Sequence, residues 1–258
     1  MTSGPDRRFW LRAGLTAILG AGVAACDKLT QSPQVNQVLD GAQTWNRRLH
    51  GLLVGSRALA REYEASAISV DFRANGTTSP DSDDYQKHVA SGFADWRLQI
   101  GGLVERPLSL SLSDLKAAPS RSQITRHDCV EGWSAIAQWK GARLGAILER
   151  AGLKPQARYL AFFCADTLEM TLDGTGDYYE TIGVEDAFHP QTLLAYEMNH
   201  QPLPVAHGAP IRLRLERQLG YKMAKYVMRI EAVESFANLG RGKGGYWEDR
   251  GYQWYAGI

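Results

Sequence analysis

From Ile211 to Arg217 the chain alternates without a fault: Ile211, Leu213 and Leu215 fall on one side, Arg212, Arg214 and Glu216 on the other. Side chains of a strand point to opposite faces with a period of two, so this run demands a sheet with an apolar side to cover. Other stretches read the same way. Ile68–Phe72, the two runs flanking a Val104–Pro107 turn within Trp96–Leu112, Arg158–Leu172 and Val227–Ser235 are all strand-like. Between them, Ser113 is placed to cap a short helix, and Ala142–Ala151 carries Leu144, Ile147 and Leu148 at helical spacing with Gly152 to end it. Thr181–Phe188 reads as a polar link. Helices and strands are interspersed with no βαβ repeat, which predicts an α+β class, one domain of mixed sheets with short helices.

The N-terminus follows other rules. Arg7-Arg8-Phe9-Trp10-Leu11 precedes the uncharged stretch Ala13–Ala25, too short for a confident span and suited to a twin-arginine signal peptide over residues 1–25. Val23-Ala24-Ala25-Cys26 resembles a lipoprotein cleavage site, with Asp27 as an inner-membrane retention signal. The expectation is a periplasmic protein anchored to the inner membrane by lipid on Cys26; an ordinary secretory signal is the alternative. Residues 26–65 are expected to be anchor and spacer, helical from Pro33 to Glu64, and residues 66–258 the domain, closed by an aromatic C-terminal tail. With 29 basic and 28 acidic residues the net charge is +1, which argues against a nucleic-acid partner.

The chemistry concentrates at Arg126-His127-Asp128-Cys129-Val130-Glu131-Gly132-Trp133. A thiolate is the metal-binding form of cysteine, and Arg126 and His127 are expected to favour it. A soft sulfur ligand selects a soft or high-valent metal rather than calcium or magnesium. Two plainer readings stay open: an inert thiol, or a disulfide with Cys164, the remaining cysteine if Cys26 is lipidated.

Six short motifs, in order, carry a resemblance. They are Gly101-Gly102-Leu103-Val104-Glu105-Arg106-Pro107, Cys129-Val130-Glu131-Gly132-Trp133-Ser134, Trp139-Lys140-Gly141, Tyr159-Leu160-Ala161-Phe162, His189-Pro190-Gln191-Thr192-Leu193 and Gly208-Ala209-Pro210-Ile211-Arg212-Leu213. Over about residues 66 to 235 the chain resembles the molybdopterin-binding domain of the sulfite oxidase family, and more closely its branch of bacterial periplasmic protein-methionine-sulfoxide reductase catalytic subunits. The resemblance implies a Mo-molybdopterin cofactor with Cys129 on the metal and Glu131 beside it as a proton relay. It implies that Arg212 and the run Met223, Ala224, Lys225 bind the cofactor's phosphate side, with Lys222 a weaker addition, and that Asn75, with Thr78 and Ser79, touches the pterin. His207 stands where the reductases have Asn, and Cys164 where they have Thr. The implied activity is oxygen-atom transfer, reducing a sulfoxide-like substrate that is small or protein-bound. The alternatives are sulfite oxidation, or a metal-free lipoprotein binding module. No haem-attachment motif or iron–sulfur cysteine set occurs among three cysteines, so a separate electron partner, a membrane haem protein or a cytochrome, is expected.

Overall fold

Two sheets position everything that follows. The computed structural model describes residues 58–258, with Gly41 and Trp45 before them; the expected signal and most of the spacer lie outside the described residues. The first sheet comprises β1 (Arg97–Gly102), β2 (Leu108–Ser111), β5 (Tyr159–Thr167), β6 (Asp177–Gly183) and β10 (Val227–Val233), in the order β2-β1-β10-β5-β6. The second runs β3 (Ser120–Asp128), β4 (Ser134–Arg143), β7 (Leu193–Met198), β8 (Gln201–Pro202), with β9 (Arg212–Arg214) on β7. Among the described residues only β1 and β10 pair in parallel; the first sheet is mixed and the second antiparallel, as suits the α+β class.

The faultless alternation holds its apolar half as expected: Ile211, Leu213 and Leu215 enter the main core with Leu98, Phe162 and Ile230. Its polar half is not solvated. Arg212, Arg214 and Glu216 are each at most 5% exposed, and the strand itself is only three residues long. Packing against Trp139 of β4 covers that face.

Helix α1 (Asp83–Ala90) was not foreseen; it buries Tyr85, whose hydroxyl donates to Ala209 O at 2.6 Å. Helix α2 (Leu112–Ala117) is capped by Ser111, not Ser113. Ser111 Oγ accepts from Asp114 N while the Asp114 carboxylate accepts from Ser111 N, a closed capping box. Helix α3 (Leu144–Ala151) starts two residues after Ala142 because β4 runs on to Arg143, and it ends where expected, at Gly152 with φ +72°. Its Leu144, Ile147 and Leu148 are fully buried, worth roughly 1.5–3 kcal/mol each in apolar transfer. Thr181–Phe188 is no link: it completes β6 and forms α4 (Val184–Ala187).

Two expectations fail near the start of the described residues. Residues 58–64 are extended, not helical: Tyr63 N donates to Ile124 O, Glu62 bridges Thr125 and Ala60 N donates to Gln191 Oε1. The domain's packing therefore begins before residue 66. Ile68–Phe72 forms no strand: the chain bends at Ile68 and Val70 and is pinned to β4 through Ser69 and Ile136.

Candidate active site

Cys129 opens the loop that joins β3 to β4. The two strands pair from Ser120 opposite Ala142 to Asp128 opposite Ser134, leaving Cys129–Trp133 as the hairpin connection. Cys129 N donates to Trp133 O and Gly132 N to Cys129 O, and Gly132 takes φ +84°, where a side chain is strained. Cys129 is 8% exposed, and Asn75 Nδ2 donates to its sulfur at 3.1 Å.

The expected activation of the thiol by Arg126 and His127 does not occur. Arg126 turns outward onto Asp128 at 2.9 Å. His127, pointing to the other face of β3, lies against Arg214, whose Nη1 donates to Nδ1 at 3.1 Å; burial first, then Arg214, holds its pKa well below normal. Burial pushes the Cys129 thiol up, opposed by the Glu131 backbone N–H, by Arg73 and by the Asn75 amide. Cys129 and Cys164 are both free thiols, so no disulfide joins them.

A cavity of about 520 Å³ opens beside Cys129. Arg212, His207, Lys225, Met223 and Asn75 line it, but their jobs differ. Arg212 is a buried cation with no carboxylate in ion-pair range among the described residues. Its Nη1 donates to His207 O and its Nη2 to Met223 O, Nε has no partner, and the guanidinium stacks over Trp139 at 5.1 Å. Burial, then neighbouring Arg214, brings its pKa down to about 9. By contrast Arg214 has Glu216 at 2.6 Å. Lys225 spends its three donors on the carbonyls of Asn75, Thr77 and Ala206, so it ties down the 75–77 loop instead of presenting a free ammonium. Burial and then Arg212 lower His207 to about 4, leaving a neutral imidazole.

Other candidates stand back from the cavity. Thr78 and Ser79 do not line it; Thr77 does, and Ser79 accepts from Gln86 instead. Ala224 is buried behind Met223, its carbonyl taking Leu213 N. Cys164 sits on β5 opposite Val227, outside the lining. Lys222 is likewise no lining residue, being engaged with Glu180 and Glu248. Sequence reading missed Asp166, which does line the cavity: 4% exposed, with Oδ1 unpartnered and its pKa raised to about 6 by burial against the pull of Lys225. A lone acid in an apolar strand was the available signal.

At the mouth, Glu131 Oε2 accepts from Trp133 Nε1 at 3.2 Å and faces Arg73 Nη2 at 3.9 Å. The C-terminal tail both packs and walls the site. Tyr246, Trp247 and Tyr252 line the cavity, and Glu248 anchors them by joining Lys222 and Glu180 in the interior.

The donor set is coherent: a shielded thiol for a soft metal, an amide against it, and a buried guanidinium that lacks an anion. A phosphorylated dithiolene cofactor answers each of these. Residues 85–238, more than half of the chain, match the family model described as oxidoreductase molybdopterin binding domain. The chain belongs to this molybdopterin-binding family. It is an oxidoreductase, and its cofactor is Mo-molybdopterin. A putative protein-methionine-sulfoxide reductase subunit, YedZ1, of Azospira oryzae is 35% identical over 98% of this chain and 88% of its own. The protein-methionine-sulfoxide reductase catalytic subunit MsrP of Xanthomonas axonopodis pv. citri is 34% identical over 89% of this chain and 70% of its own. Among solved structures, the sulfane dehydrogenase SoxCD from Paracoccus pantotrophus covers 55% of this chain and 39% of its own at 24% identity and a TM-score of 0.48, too slight a likeness to bear on the site.

In this family member Cys129 would hold the molybdenum, Arg212 the phosphate and Asn75 the surroundings of the sulfur. Bound there, the cofactor would supply two-electron redox chemistry. The chain's own part would be to shield the thiol and to neutralise the anion.

Proposed function

We propose that this protein is a periplasmic, lipid-anchored reductase of sulfoxides, taking methionine sulfoxide within polypeptides and drawing electrons from a separate haem partner. The observation that carries the reading is the entrance. Its acid, Glu131, is answered by Arg73, so no cationic pocket awaits a small dianion such as sulfite. Val130, which lines the cavity, and Met170, next to the lining residue Glu169, stand exposed there. Exposed apolar side chains beside a cavity offer contact to a partner molecule, here one carrying an uncharged oxo group. The names of both curated relatives support the same chemistry.

Reduction consumes two electrons and two protons, the sulfoxide becoming a thioether and its oxygen leaving as water. Glu131 is the group at the mouth able to pass protons inward, held by the Trp133 indole. The test is a screen of holoenzyme with a reduced artificial donor against sulfoxides, N-oxides and chlorate, beside sulfite with an oxidised acceptor. Sulfoxide turnover, lost together with molybdenum in Cys129→Ser, is expected; turnover of sulfite alone would overturn the proposal. For the location, replacing Arg7 and Arg8 by Lys is expected to stop export, and normal secretion of that variant would refute the twin-arginine reading.

A further inference from the structure

The ion pair at the entrance does little for the fold. Arg73 and Glu131 have side chains 66% and 49% exposed and lie 3.9 Å apart, a geometry that contributes little stability in water. Glu131 already has the Trp133 indole. Arg73 comes from the extended segment before Asn75, Glu131 from the β3–β4 loop, and both line the cavity. Their charges therefore act where the substrate enters, and a cleft with low-dielectric walls focuses such fields. Of the other acids that line the cavity, Glu169 is answered at 2.6 Å by Arg250 and Asp166 is buried, 4% exposed. Of the cations that also line it, Arg212 is 4% exposed and would face the cofactor's anion, and Lys225 is held by three backbone carbonyls.

We propose that Arg73 is a specificity-determining residue, which cancels the charge of Glu131 so that the entrance admits an uncharged S–O or N–O group and does not gather small anions. The substrate's oxygen carries only a partial negative charge. An uncompensated Glu131 would repel it weakly and a dianion strongly, whereas an uncompensated Arg73 would draw the dianion in. Neutralising either partner must then move anion affinity in opposite directions, a signature that general damage to the loop cannot produce. The identity of the neutral substrate rests on the proposed sulfoxide reduction; the charge effect does not.

The experiment uses molybdenum-loaded wild type, Arg73→Gln, Glu131→Gln and the double variant. Inorganic sulfate is the competitive inhibitor, and dimethyl sulfoxide the substrate. From Coulomb's law at near-aqueous dielectric, one unit charge about 7 Å from a dianion changes affinity roughly 5- to 10-fold. The Ki of sulfate should rise by about that factor in Arg73→Gln, fall by it in Glu131→Gln and return near wild type in the double variant. The KM for dimethyl sulfoxide should move less than about three-fold in Arg73→Gln, and raising the salt should compress all differences. Shifts of Ki in the same direction, or under two-fold in both single variants, would overturn the proposal. Should wild type turn over sulfite and no sulfoxide, the functional reading fails, and sulfate inhibition of that turnover still decides the role of Arg73.

Discussion

A guanidinium buried without an anion is costly, and Arg212 is kept in that condition by its own strand. Folding therefore stores an unmet demand for negative charge where the cofactor's phosphate would sit. Arg212→Met should stabilise the apoprotein by about 1–3 kcal/mol in urea unfolding while reducing molybdenum per chain at least ten-fold. Full metal content in that variant would remove Arg212 from the site. His207 makes a pH-dependent contribution. Its folded pKa of about 4 lies below the ordinary 6.5, so the ring is held neutral and its stability is lost as pH falls from 6.5 towards 4. The size is at most ~3 kcal/mol. Asp166, raised to about 6, acts oppositely: its stability is present at low pH and lost as pH rises from 3.8 through 6. His207→Asn apoprotein should thus lose less stability than wild type between pH 7 and pH 5, and parallel pH slopes in urea midpoints would contradict this.

At the scale of elements, the site depends on two tight places. One is the five-residue loop of the β3–β4 hairpin, which sets Cys129 between Asn75 and the cavity. The other is Gly208, at φ +110° between the Val205–His207 turn and β9, where an added Cβ would lie 2.8 Å from Lys225 Cβ and 3.2 Å from Arg212 Cβ. Gly208→Ala should cost about 1–3 kcal/mol of stability, as strained positive-φ sites do, and lower cofactor content as well. Ser111→Ala breaks the α2 capping box and should cost about 1 kcal/mol with molybdenum content unchanged. Thermal melts beside metal analysis separate the two outcomes. Equal molybdenum in both variants would mean that Gly208 serves the fold and not the cavity.

Across the whole molecule, the tail is joined to the body by charge as well as by rings. Lys222, Glu180 and Glu248 come from three distant parts of the sequence, and each is at most 3% exposed. Two carboxylates share one ammonium there, and burial with the nearby Glu248 drives the Glu180 pKa well up. Lys222→Met leaves two acids buried without a cation, at a cost of about 3–5 kcal/mol. Hydrogen exchange over residues 244–258 should then rise, since Tyr246 and Trp247 lose their anchor. A melt within 1 °C of wild type (against the several degrees that about 3 kcal/mol implies) would show the cluster to be incidental.

By itself the sequence determined the elements whose signal is local. The period of two at Ile211–Leu215, the helical spacing before Gly152 and the motif around Cys129 each depend on neighbours within a few residues, and these pointed to the α+β class and singled out Cys129. It could not say which side of an alternating strand meets water, because that depends on what another part of the chain lays over it. Trp139 covers Arg212 and Arg214, three backbone carbonyls occupy Lys225, and Arg126 turns away from the thiol it precedes by three residues. Asp166, Arg73 and the tail reach the cavity from afar in sequence, and only tertiary packing, which trades solvent for protein partners, decides such meetings.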